Sequence, residues 1–378
     1  MRLILHNVRR SGGSKGTAMS RTMSSAYMEW AKLHSGARYN LATSGLLNYS
    51  MKDFPIQLKD LDLTGKGSYG YEPLLRAIAS RYGVNTENVM TALGTSMANH
   101  FVMAGLLERG DEVVVEHPAY ELLLSTAEYF DVRIKRFYRR FENGCRVDPD
   151  EIKTQVSSNT KLIVVTNLHN PTSVLADNDT LRKIGEIARS VGARVLVDEV
   201  YLEAMFDETP LSAFRLGEEF IVTSSLTKVY GLSGLRCGWV LAEPSFIRKL
   251  WRLSDLFYAN ASFPAEQMSA IAFAHLGQIG ACSLGLLRSN RPILDRFLDS
   301  RDDLRVVRPR FGTTVFPQLV HGDVERFCSI LRAKHETSVV PGRFFEMPNH
   351  FRIGIGCETE TLESGLERVG AALDEISR

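Results

Sequence analysis

The chain has 378 residues, 44% of them hydrophobic, enough for a sizeable core in two domains or in one large domain with a satellite. With 45 Lys+Arg against 44 Asp+Glu it carries no overall field that would draw in nucleic acid or an anionic membrane, so a charged ligand has to be held by local groups. The five cysteines, Cys145, Cys237, Cys282, Cys328 and Cys357, are scattered and form no CxxC pair, which points away from a disulfide framework or a metal site.

At the start, 1-MRLILHNVRR-10 has an apolar run too short for a signal peptide, and no stretch reaches membrane length, so a soluble, cytoplasmic protein is expected. The polar, glycine-rich 9-RRSGGSKGTAMS-20 is expected to be mobile or laid along a partner. Next, 24-SSAYMEWAKLHSG-36 reads as a helix. In 72-EPLLRAIASRYG-83, Leu74, Leu75, Ile78, Ala79 and Tyr82 share one helical face before a closing glycine.

From about residue 89, short β-branched runs alternate with helical stretches: 111-DEVVVEH-117, 131-DVRIKRFY-138, 161-KLIVVTN-167, 193-ARVLVDEV-200, 220-FIVTSS-225 and 235-LRCGWVLA-242. One separator, 179-DTLRKIGEIARSVG-192, puts Leu181, Ile184, Ile187, Ala188 and Val191 on one stripe. The pattern predicts an α/β fold whose mostly parallel mixed sheet is flanked by helices, with a ligand at the carboxyl ends of the strands. After about residue 260 the character changes to helices over 264–298, short strands around 305–320 and 350–356, and an amphipathic helix over 359–377, a smaller α+β unit. The expected division is a large domain over 46–260 and a small one built from 1–45 and 261–378.

Four strand ends carry unusual polar residues: 167-NLHNPTS-173, 198-DEVY-201, 225-SLTK-228 and, earlier in the chain than those runs, 91-TALGTSMANH-100. A lone lysine after a strand is ordinarily a solvated loop residue, an aspartate there a turn or cap, and GTS a plain helix cap. Taken together and in this order, the segments resemble the class I/II aminotransferases of fold type I, the aspartate aminotransferase-like enzymes that use pyridoxal 5′-phosphate (PLP). The resemblance runs from about 41 to 356.

It implies that Lys228 forms the Schiff base with PLP and then acts as general acid and base, a task suited to a partly desolvated amine. It implies further that Asp198 pairs with the pyridine nitrogen, while Tyr201 and Asn170 bind the ring oxygen. The phosphate falls to Gly94, Thr95 and Ser96 at a helix N-terminus, to Ser225, and to the fork of Arg236. Tyr120, in 116-EHPAY-120, stacks on the ring. In 350-HFRIGIG-356, Arg352 clamps the α-carboxylate from an alternating strand, and Gly45 closes over the substrate. No metal is implied.

The sequence departs from the family at Ser173, where the motif has glycine, so serine would have to adopt a positive φ. In the family a second subunit lends a tyrosine to the phosphate; here the spacing of 66-KGSYGYEPLLR-76 is altered, so that role falls to Tyr69, Tyr71 or Lys66, and the resemblance implies a homodimer. The expected function is an aminotransferase moving an amino group between an amino acid and a 2-oxo acid; a PLP-dependent lyase of the C–S β-lyase or related elimination type is the alternative.

Overall fold

In the computed structural model, residues 22–65 and 67–376 are described; the glycine-rich segment 9–20 and Lys66 lie outside them. Among these residues the central element is a seven-stranded sheet built from β1 (Val89–Leu93), β2 (Glu112–His117), β3 (Arg133–Tyr138), β4 (Thr160–Thr166), β5 (Arg194–Asp198), β6 (Phe220–Ser225) and β7 (Cys237–Leu241), in spatial order β1-β7-β6-β5-β4-β2-β3. All pairings are parallel except those of β7, which runs against both neighbours.

The sheet is covered on both faces, which is why its strands read as continuous apolar runs. Val114, Ile163, Val165, Val197 and Val222 enter one core with Leu181 and Ile184. Their neighbours Val113, Val115, Leu162, Val164 and Ile221 enter the other, with Ala98, Phe101 and Val102. This period of two divides nearly every residue of the central strands between two dry layers.

A third core joins Leu41 and Leu46 to Leu294, Phe327, Phe351, Ile353, Leu362 and Val369, so segments that precede and follow the large sheet in sequence are packed together. There the strand β8 (Phe351–Gly354) is buried along its whole length rather than alternating, because it lies inside a three-stranded sheet with both faces covered. The helix Val324–His335, capped by Asp323, has no counterpart in the sequence reading, although Val324, Phe327 and Leu331 share one face. Among the described residues no single helix is long and apolar enough to cross a membrane. Phe263–Ala274 and Leu276–Asp299 meet that criterion only together and are bent by 75°, with Ala272, Leu276 and Ile279 packed into the first core.

Candidate active site

The carboxyl ends of β1, β4, β5 and β6 and the amino end of β7 share one rim of the sheet, around a cavity of about 260 Å³. Of the helices α1 (Ala26–Leu33), α2 (Glu72–Tyr82), α3 (Gly94–Leu106) and α4 (Glu121–Tyr129), α1, α3 and α4 line it, α3 beginning at the rim, whereas α2 packs behind β1. Gly94 has φ +78, which favours glycine at the turn into α3, and a Cβ on it would push against the Arg236 guanidinium. Arg236 itself stands at φ +50 and donates to the carbonyls of Leu93 and Ser233, each at 3.2 Å. Neither bond neutralises it, and no carboxylate pairs with it among the described residues. Thr95 Oγ1 beside it is buried without a hydrogen-bond partner.

At the other end Asp198 is 4% exposed and accepts from Asn99 Nδ2 at 2.8 Å and from the Val200 N–H at 3.1 Å. Asn99 is oriented in turn by Thr223 Oγ1 at 2.6 Å. Burial pushes the Asp198 carboxyl up to about 6, against the pull of these two donors. Lys228 is held the opposite way: burial lowers its amine, and the Arg352 and Arg236 charges add to that, with Tyr27 and Asp198 opposing. The cavity therefore offers a guanidinium and free donors at one end, an anion at the other, and a softened amine between. A group with a phosphate at one end and a basic nitrogen at the other fits this polarity, as PLP does.

Arg352, from β8, is fully buried. Nη1 donates to Asn170 Oδ1 at 2.8 Å, and Nη2 donates to Tyr27 OH at 3.1 Å and to the Ala42 carbonyl at 3.0 Å. Nε has no partner, and among the described residues no carboxylate reaches the guanidinium. Its faces lie against the rings of Phe345 and Tyr27, at 5.2 and 5.9 Å from the ring centroids. A buried guanidinium without a counter-charge is costly unless a ligand supplies one.

Thr95, Ser96, Tyr120, Asn170, Asp198, Tyr201, Ser225, Lys228 and Arg236 all line the one cavity. Gly94 lies directly beneath Arg236. Arg352 stands behind Asn170, outside the lining, and Gly45 lies against Lys228. A Cβ on Gly45 would make an ordinary contact, 3.5 Å from Lys228 Cδ, so space alone does not demand glycine there. Tyr69 and Tyr71 line a different cleft with Trp251 and Phe263. Ser173 has φ +61; its hydroxyl donates to the Thr314 carbonyl at 2.8 Å, a bond glycine could not make.

Among the lining residues that sequence reasoning missed are Asn99, Ser44 and Tyr27. Asn99 carried a readable signal, a polar side chain among the buried Ala98, Phe101 and Val102 of α3. Ser44, which accepts from Tyr201 OH at 2.7 Å and from Lys228 Nζ at 3.2 Å, had only its place beside Gly45. Tyr27 on α1 had none: its hydroxyl meets Arg352, and its ring meets Tyr120 edge-on at 5.5 Å.

The family model of class I and II aminotransferases matches residues 55–369. Capreomycidine synthase of Streptomyces vinaceus is 30% identical over 355 residues, which is 90% of this chain and 91% of the synthase. Aspartate aminotransferase of Pyrococcus horikoshii is 27% identical and covers 78% of each chain. Among solved structures, a PLP-dependent aminotransferase from Streptococcus suis superposes with a TM-score of 0.86 at 28% identity, covering 93% of this chain and 97% of its own. The PLP-dependent cyclase OrfR superposes with a TM-score of 0.86 at 26% identity, covering 96% of this chain and all of its own.

Proposed function

The chain belongs to the class I and II aminotransferases and takes PLP as its cofactor, and from that premise we propose that it moves the amino group of an α-amino acid to a 2-oxo acid in the cavity around Lys228. The observation that carries this reading is Arg352, a buried guanidinium with an unbonded Nε, no carboxylate partner among the described residues, and a direct bond to Asn170. An α-carboxylate, common to both substrates, supplies the missing charge.

When bound, PLP supplies an aldehyde carbon that takes the amino group and a ring that accepts electrons. Lys228 would hold it through Nζ, whose burial keeps the amine more often neutral and so nucleophilic. The N–H groups at the start of α3, the hydroxyls of Thr95, Ser96 and Ser225, and Arg236 would bind the phosphate. Asp198, ionised above about pH 6, would face the ring nitrogen and hold a proton on it. Tyr201 and Asn170 would bind the ring oxygen, and Tyr120 would cover a ring face. Lys228 Nζ, once free, is the base that takes the proton from the substrate Cα, because Arg352 holds the carboxylate away from cleavage. On this reading the chain works as a homodimer, with Tyr69, Tyr71 or Lys66 serving the neighbouring subunit's phosphate.

The similarity to capreomycidine synthase and to the cyclase OrfR over nine-tenths of the chain favours one second reading, in which the same groups start an elimination or ring closure on the amino acid. Mixing the holoprotein with a panel of amino acids and following the cofactor spectrum tests the choice. Transamination gives one equivalent of 2-oxo acid with conversion of the cofactor to its amine form. Ammonia or a cyclic product, formed without added 2-oxo acid and without the amine form, defeats it in favour of the second reading.

A further inference from the structure

Ser44 stands where two functional side chains converge. Lys228 Nζ lies 3.2 Å from Ser44 Oγ, and Tyr201 OH lies 2.7 Å from the same oxygen. The serine is 5% exposed, and its backbone is fixed from both sides. Thr313 Oγ1 donates to the Ser44 carbonyl at 2.7 Å, and two residues on, the Leu46 N–H donates to the Lys228 carbonyl at 2.8 Å. The hydroxyl is therefore anchored to the same backbone that carries the lysine.

We propose that Ser44 is a positioning residue for Lys228, whose amine rests on Ser44 Oγ whenever it is not attached to the cofactor. The proposal rests on the reading of Lys228 as the cofactor-holding and proton-carrying lysine. A freed lysine has four rotatable side-chain bonds, and a misplacement of about 1 Å costs roughly a hundredfold in rate. An acceptor shared with Tyr201 keeps the amine on the ring-oxygen side of the cavity, within reach of the atom that gives up its proton.

The charged and titratable groups facing Nζ include Tyr27 from α1, Asp198 from β5, Arg236 at the start of β7 and Arg352 from β8, with Tyr201 bonded to the same Ser44 oxygen. Two of them are guanidiniums, which oppose a protonated amine, and Ser44 is the neutral oxygen that accepts from it. Removing that oxygen leaves the ammonium form with less support, so the amine gives up its proton at lower pH.

The test compares wild type with Ser44→Ala, Ser44→Thr and Lys228→Ala in the full chain. In the cofactor-free protein, acetic anhydride labelling of Lys228 across pH, read by peptide mass spectrometry, gives the titration midpoint of the amine. In Ser44→Ala that midpoint moves down by at least about half a pH unit, and in Ser44→Thr it returns. In the holoenzyme, Ser44→Ala lowers kcat by about 10- to 100-fold, with KM for the amino acid held within about twofold, and Ser44→Thr recovers most of the rate. A wild-type midpoint in Ser44→Ala overturns the proposal whatever reaction the enzyme performs. Equal loss in Ser44→Thr also overturns it, by showing that bulk rather than the hydroxyl matters. Multiple turnover by Lys228→Ala removes the reading beneath the proposal and the proposal with it.

Discussion

Replacing Asp198 with asparagine separates what its carboxylate does for chemistry from what it costs the fold. The folded carboxyl titrates at about 6 against an ordinary 3.8, because burial outweighs the bonds from Asn99 and Val200. The folded protein therefore keeps this proton to a higher pH than the unfolded chain does. The group is a penalty that is absent below about pH 3.8, grows as pH rises to about 6, and is constant above. At neutral pH the gap is worth roughly 3 kcal/mol. Asparagine is near-isosteric and uncharged, and its amide can be matched because Asn99 can turn over on Thr223, whose hydroxyl both donates and accepts. Cofactor-free Asp198→Asn should melt on the order of 5 °C above wild type at pH 7.5 and equal protein concentration, and the difference should close toward pH 4. Turnover by the holoenzyme should meanwhile fall by about 10²–10³-fold. Differential scanning fluorimetry across pH, beside a turnover assay, measures both. A variant that melts at or below wild type at pH 7.5 would show that the carboxylate is fully compensated in the fold, and the reasoning from burial would be wrong.

Arg352→Ala should weaken amino-acid and 2-oxo-acid substrates alike by about 2–5 kcal/mol, since one partner of a buried charge pair is lost, while PLP affinity measured by fluorescence stays close to wild type. A loss confined to one substrate direction contradicts the clamp. Burial raises the Tyr27 phenol, yet the charges of Arg352 and Lys228 and the bond from Arg352 together leave it below its ordinary 10. Ultraviolet titration should find one early tyrosinate that Tyr27→Phe abolishes; an unchanged curve refutes this. Ser173→Ala keeps the positive φ but loses the bond to Thr314, and should cost about 1–2 kcal/mol in urea unfolding. Ser173→Gly loses the same bond but relieves the backbone at φ +61 and should cost less; the reverse order would show that the backbone there is not strained, and no loss in Ser173→Ala would show that the hydroxyl matters little.

The sheet was legible because buried parallel strands leave long Val and Ile runs, and the rim was legible because polar residues stop those runs abruptly at Asn167, Asp198 and Ser224. The reversal of β7 was not legible, since a five-residue buried strand has the same composition in either direction. Nor were Ser44 and Tyr27. They reach the cavity because Leu41 and Leu46 are packed into the third core and because Tyr27 nests among Phe344, Phe345 and Tyr120. Such long-range packing leaves no local periodicity. Arg352 was visible as an arginine in an apolar strand, but its bond to Asn170 joins residues 182 apart in sequence, a distance no window spans.

The reversal of β7 also sets a ruler. The chain leaves the rim at Ser225 and returns to it at Cys237, with the Leu226 N–H bonded to the Cys237 carbonyl and Ser225 paired with Gly238. Lys228 and Arg236 thus sit on one short excursion whose two feet are nailed side by side, and its contour length fixes how far apart an amine and a guanidinium can stand on the same ligand. Surface loops ordinarily accept an added or missing residue. This one, with its glycines at 231 and 234, has the composition of a tolerant turn, yet a single insertion or deletion would change the span between the two groups and mismatch any ligand held by both.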